Sequence, residues 1–109
     1  MDIDYVKIVV FVPADDADKI RNVLNESGAG RIGNYDNCSF STRGLGRFRG
    51  LEGSKPALGN IGRVEEIEEE RIETICPKAK LEDVIKAVRA AHPYEEAAID
   101  VFPLLNQSN

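Results

Sequence analysis

Five basic side chains, Arg31, Arg43, Arg47, Arg49 and Lys55, lie between residues 28 and 60. Arginine presents a forked pair of donors that fits phosphate or carboxylate, and glycines free backbone N–H groups to join it. All nine glycines of the chain fall between Gly28 and Gly62, so both ingredients of a small-anion site coincide in one segment. Arg43, Arg47 and Arg49 share one parity, opposite to Phe48, and would share one face of an extended stretch. The competing expectation is a mobile surface loop whose arginines pair with the acidic run that follows, where Glu65 to Glu73 holds six glutamates.

A second constellation is Ala91-His92-Pro93-Tyr94-Glu95-Glu96. Such a compact turn sets His92, Tyr94 and Glu95 toward one boundary, where His92 would contact a ligand or act as a single metal ligand. Metal chemistry has little else to work with. His92, Cys38 and Cys76 are the only soft or borderline ligands, whereas a closed zinc site wants four, and no pair of them has ligand spacing. His92 and Cys38 are therefore weak candidates for a divalent metal, and no dedicated cofactor is expected. The blander expectation has both cysteines packed as small hydrophobes and His92 at a helix C-terminus, where an imidazolium suits the dipole. No catalytic residue is expected either, since no motif places the one histidine beside Ser39 or Cys38.

The elements that must carry these residues follow from periodicity. Residues 3–12 are β-branched and aromatic, nearly all apolar after Lys7, and predict a central strand that Pro13 ends. Asp15 and Asp16 favour a helix start by capping and charge. Ala17, Ile20, Val23 and Leu24 then recur at helical spacing, and Gly28 stands where a C-terminal cap belongs. Alternation from Tyr35 to Ser41 predicts a second strand with Cys38 and Phe40 toward the core. A long glycine-rich loop follows from Gly44, with a short strand over Arg47–Arg49 inside it.

Residues 62–76 are ambiguous. Val64, Ile67, Ile72 and Ile75 have helical spacing, and Ile67 and Ile72 have opposite parity, which a strand would need a bulge to accommodate. The second strand otherwise lacks a hairpin partner, so strand is the expectation. Leu81, Val84, Ile85 and Val88 predict a helix from Lys80 to Ala91, and Ala97 to Phe102 a last strand stopped by Pro103. The order β-α-β-β-α-β is the ferredoxin-like α+β plan, one antiparallel sheet with two helices on one face, here expected as one domain over 1–109.

Bulk properties exclude several classes. At 109 residues, with a net charge of −5, the chain lacks the basic face of a general nucleic-acid binder. No apolar run approaches the ~18 residues of a membrane span. An acidic start and two cysteines point to the cytoplasm. Charge is segregated, with +3 over residues 28–60 beside −4 over 61–77, and this could pair between subunits of a homo-oligomer. Gly28-Ala29-Gly30-Arg31-Ile32-Gly33 matches the dinucleotide fingerprint literally, but follows a helix and opens a strand. That context fails the mechanism, which needs pyrophosphate on a helix N-terminus. Gly28, Gly30 and Gly33 instead read as structural, a helix cap and a tight connection.

The same glycines carry a resemblance. Residues 28–40 look like a signature in the middle of NIF-three-like proteins, also known as GTP cyclohydrolase type-two homologues. The likeness continues through Gly44-Leu45-Gly46-Arg47-Phe48, Gly59-Asn60-Ile61-Gly62, Ala91 to Glu96 and Asp100-Val101-Phe102-Pro103-Leu104. It implies that this chain resembles the insert between two metal-binding halves of that family. The insert in turn is similar to the trimer-forming CutA and P-II signalling domains. The family's metal ligands belong to the halves, and Arg31 stands where many relatives are expected to carry His. The resemblance implies a non-enzymatic, oligomeric ligand-sensing or interaction domain, with a trimer as the expected number and a small anionic effector held between subunits near Arg31, Tyr35, Arg43, Arg47, Arg49, His92, Tyr94 and Glu95. The alternative it implies is a metal-binding accessory protein or a fragment of a two-metal hydrolase.

Overall fold

A computed structural model describes residues 3–57 and 59–106. Strand β1 (Tyr5–Pro13), helix α1 (Ala17–Ser27), β2 (Phe40–Arg49), β3 (Val64–Pro77), α2 (Leu81–Ala91) and β4 (Ile99–Leu104) follow in that order. The sheet order is β2-β3-β1-β4, and every neighbouring pair is antiparallel. This is the expected ferredoxin-like α+β arrangement. Among the described residues no helix is long and apolar enough to cross a membrane.

Side-chain alternation builds the core. Val6, Ile8, Val10 and Val12 of β1 meet Ile72 and Cys76 of β3 under Ile20 and Leu24 of α1 and Val84 and Val88 of α2. Val9, on the opposite face, is buried too, so β1 reads as a nearly continuous apolar run. Both helices are entered alike. Pro13 and Pro77 end strands, a three-residue 3-10 turn follows, and an eleven-residue helix begins. Asp15 and Asp16 lie in the first of those turns and make no side-chain cap, so their contribution to α1 is charge alone. At the other end Gly28 adopts φ +122°, and the N–H of Ala29 reaches Leu24 O at 2.9 Å, closing the helix as expected.

Four boundary expectations need correction. β2 begins at Phe40, not Tyr35, and residues 35–39 belong to the connection, with one isolated bridge from Tyr35 to Ile32. Phe40 is 67% exposed, so this stretch does not face the core. β2 then runs through Gly44 and Gly46, where a loop was expected, and takes in the short strand expected over Arg47–Arg49. β3 is a strand, and it has no bulge. Its registers run unbroken from Tyr5↔Pro77 to Pro13↔Glu69 and from Phe40↔Glu73 to Arg49↔Val64. The parity conflict dissolves because the two faces are covered at different points: Ile72 points to the helices, while Ile67 and Ile75 lie on the other face. β4 starts at Ile99 and continues through Pro103 to Leu104, since an edge strand can spare the N–H that proline lacks. Tyr5 and Leu104 are direct partners, so the outer ends of β1 and β4 lie side by side.

The molecule is elongated, 46 × 26 × 21 Å. Burial along β3 changes at Glu70: residues 70–76 are largely buried, whereas 64–69 alternate between exposed and half-buried. The far half of the β2–β3 ribbon therefore stands clear of the helices.

Candidate ligand cavity

His92 ends α2, its N–H bonded to Val88 O at 2.9 Å, and its side chain is buried. Nδ1 accepts the Tyr94 N–H at 3.1 Å, an arrangement that calls for the proton on Nε2, which donates to Phe11 O at 2.7 Å. The ring thus pins the 92–98 connection to the end of β1. It also presents Tyr94 to the sheet face turned away from the helices, which Phe11, Phe48 and Glu69 share by register. The Tyr94 ring lies 5.6 Å from Phe48 and 5.2 Å from His92, and its hydroxyl donates to Glu69 Oε2 at 3.1 Å. Burial first, and then the charge of Glu69, hold the phenol above its usual range, so it remains a donor. Gly46 makes this possible: a Cβ there would collide with the Glu69 carboxylate that lies over it.

The two long connections meet here. Glu95 Oε1 accepts the Lys55 N–H at 2.6 Å, tying the β2–β3 connection to the α2–β4 connection. Between them opens a cavity of about 400 Å3. Phe11, Phe48, Tyr94, Leu51 and Pro56 supply apolar walls, and Arg47, Arg49, Glu69, Glu95 and Glu96 its charges. Ser54 also lines it. The Ser54 Oγ is shielded from solvent and has no hydrogen-bond partner among the described residues, which makes it an unusual feature in a folded chain.

Of the residues expected to bind a ligand, the structure gathers Arg47, Arg49, Tyr94 and Glu95 at this cavity. His92 stands behind them as a clamp, and its two ring nitrogens, both bonded to backbone groups, are committed. Arg43 lies further along β2, on the helix-facing side that Arg47 and Arg49 share by register, and outside the cavity, with Glu70 at 3.1 Å and Glu68 at 3.6 Å. Arg31 is exposed and turns back onto Gly33 O at 3.3 Å, and Tyr35 is 75% exposed; neither lines the cavity. Cys38 sits in the other connection, its carbonyl accepting from Thr74 Oγ1 at 2.7 Å, so it does not converge with His92. Among the described residues no three His, Cys, Asp or Glu side chains form a metal set.

The arginines of β2 do pair with the acidic strand, from a strand rather than a loop. Arg47 reaches Glu66 at 3.2 Å, while Arg49 makes no ion pair among the described residues. Much of the charge segregation visible in the sequence is thus neutralised within the chain. Its most buried part is Glu70, held between Arg21 at 2.6 Å and Arg43 at 3.1 Å. The hydrogen bond from Arg21, more than that from Arg43, keeps this carboxyl below the usual carboxylate range. Sequence reasoning missed Glu69, Ser54 and Leu51 at the cavity. One signal was available: a glycine such as Gly46 inside alternating residues marks a place where another group comes close.

The fold is CutA-like, of ferredoxin-like topology, and it carries a recess of small-molecule size. The chain is homologous to one segment of the NIF3-related proteins named GTP cyclohydrolase 1 type 2 homologues. It is 43% identical over 102 residues to that of Mycobacterium tuberculosis, which covers 94% of this chain and 27% of the relative. With the Bacillus subtilis homologue it shares 43% over 98 residues, 90% of this chain and 26% of the relative. The crystal structure of a Bacillus cereus protein related to NIF3 matches with TM-score 0.83 at 47% identity, over 97% of this chain and 27% of that one. The periplasmic divalent cation tolerance protein CutA from Archaeoglobus fulgidus matches over 94% of this chain and 86% of its own, with TM-score 0.69 at 20% identity, a likeness of fold. No protein-family model matches the chain. The chain spans about a quarter of the length of the NIF3-related proteins it matches.

Proposed function

We propose that the chain is a non-enzymatic ligand-sensing domain that takes a small effector into the cavity between the 50–57 and 92–98 connections, and that it works as a homo-oligomer in the cytoplasm. The observation that carries this reading is the cavity itself. Its volume of about 400 Å3 falls in the range of small-molecule sites, ~300–1,000 Å3. It combines aromatic walls with a hydroxyl and an arginine that have no partners among the described residues.

Support for a non-catalytic role comes from the side chains best suited to covalent chemistry. Burial pushes the Cys76 thiol up to about 11, away from a reactive thiolate, and His92 is spent on backbone groups. Support for self-association comes from the edges. β2 and β4 each have one unpaired side, and Phe40, Leu45 and Phe102 are 67%, 69% and 49% exposed. A trimer is the number that the CutA resemblance suggests. Two free thiols fit a reducing compartment.

A thermal-shift panel of nucleotides, organic anions, amines and divalent metals, run beside native mass measurement, tests the reading. It expects at least one small ligand to raise Tm, and a mass that is a multiple of the chain's. A monodisperse monomer at micromolar concentration would overturn the assembly, and a panel with no shift would overturn the ligand site. Homology to proteins named as cyclohydrolase homologues favours a second reading, a segment serving a metal-dependent hydrolase. That reading requires bound transition metal or phosphate-ester hydrolysis, and purified protein with neither removes it. A metal-binding accessory role requires stoichiometric copper or zinc that His92→Ala or Cys38→Ala abolishes.

A further inference from the structure

The charge of the cavity says more about its ligand than its size does, and this step rests on the ligand-site reading above. Arg47 stands at the rim already neutralised by Glu66 at 3.2 Å. That leaves Arg49, which by register shares the face of Arg43 and Arg47, as the other basic residue lining the recess beside Glu69, Glu95 and Glu96. Arg71, whose guanidinium lies 5.6 Å from the Phe11 ring, is paired with Glu73 at 3.5 Å. Three acids against one unpaired cation in the lining make the potential in the recess negative, which draws in cations and opposes an anionic effector. The hydrogen bonds already made leave this charge in place, because Tyr94 Oη and the Lys55 N–H are neutral donors. Glu96 makes no ion pair or side-chain hydrogen bond among the described residues.

The walls point the same way. Phe48 and Tyr94 lie tilted at 58° to one another, and the negative faces of such rings favour an ammonium group as well as an apolar body. Ser54 completes the set. Its Oγ, shielded and without a partner, tucks against Gly50, where a Cβ would stand only 2.8 Å from it. A hydroxyl so placed offers lone pairs to an incoming N–H.

The geometry points to a small protonated amine with an apolar body, its body against Phe48, Tyr94 and Leu51 and its ammonium balanced by the carboxylates and the Ser54 hydroxyl. The test uses the full chain labelled with 15N and three probes of one body: phenethylamine, 3-phenylpropanoate and 3-phenylpropanamide. Amide signals of Phe48, Ser54 and Tyr94 are followed at constant pH and salt. Phenethylamine is expected to shift them and to bind about tenfold more tightly than the acid. Glu96→Gln, at an exposed position that leaves the fold intact, is expected to weaken the amine about threefold or more, with Glu69→Gln adding to it. If the acid or the amide binds these residues as tightly as the amine, the ligand class is overturned and the site stands. Amine binding unchanged in both Gln variants overturns the class equally. If none of the three probes moves these signals and the thermal-shift panel is silent, the site falls as well.

Discussion

The two halves of the β2–β3 ribbon use the same backbone ladder and are held by different forces. Near the helices, Ile72 and Cys76 of β3 are fully buried against α1 and α2. Beyond Glu70 the ribbon presents Arg47 to Glu66, a pair exposed on both sides, and Glu65 to Arg63, whose guanidinium is exposed. Apolar burial contributes ~25 cal/mol per Å2 and is not weakened by ionic screening, whereas exposed ion pairs contribute little and are screened. The body is therefore the rigid frame. The arm, carrying Phe48 to the cavity, is expected to be the part with the lower local stability.

Substitutions can break or sharpen that contrast. Ile72→Ala, in the body, should lower unfolding free energy by roughly 2–5 kcal/mol in a urea titration, the cost of a core cavity. A loss smaller than that from any arm substitution would reverse the comparison. Glu70, at the junction, comes next: Glu70→Gln should cost about 1.5–3 kcal/mol at neutral pH, the range of charge-assisted hydrogen bonds. Because its folded carboxyl lies below the reference 4.5, its contribution is complete above that pH and lost as pH falls through the folded value. Glu70→Gln should therefore flatten the acid limb of a stability–pH profile, and an unchanged limb would remove the role given to Glu70.

Gly30 tests the body from the connection side. It has φ +83°, and a Cβ there would lie 3.2 Å from Cys38 O, so Gly30→Ala should cost about 1–2 kcal/mol by chemical denaturation. Arg47→Ala, in the arm, should cost only ~0.2–1 kcal/mol and less still at 1 M salt. A larger, salt-independent loss would show that the arm is not held by solvated charge.

What could be read from the sequence follows the same division. β1, α1 and α2 were legible because their apolar residues repeat with one period and end at Pro13, Gly28 and Ala91. The extent of β2 was not, because Gly44 and Gly46 carry no strand preference. Gly46 is there for the Glu69 carboxylate, a tertiary reason that no local pattern contains. β3 looked helical because Ile67 and Ile72 serve opposite faces of one strand, and coverage of those faces depends on elements distant in sequence. The lining of the cavity was legible by half. Arg47, Arg49, Tyr94 and Glu95 stood out by type and spacing, and Arg43 shares the parity of the two arginines yet lies too far along β2 to line the cavity. Ser54 and Leu51 gave no signal, since their role arises only when Glu95 joins its connection to theirs at 2.6 Å.

The pairing of Tyr5 with Leu104 has a consequence for how this fold can be used. Direct partners in an antiparallel ladder are ~4.5–5.5 Å apart at Cα, little more than one peptide unit. A host protein could thus be opened at a single surface loop and rejoined through this domain with almost no separation of the cut ends. The loop-closure entropy of such a splice is small, and the host need not deform to accept it. In mechanical terms the domain is a side-branch: pulling on the two flanking chains unzips β1 from β4 one pair at a time, rather than shearing the whole sheet.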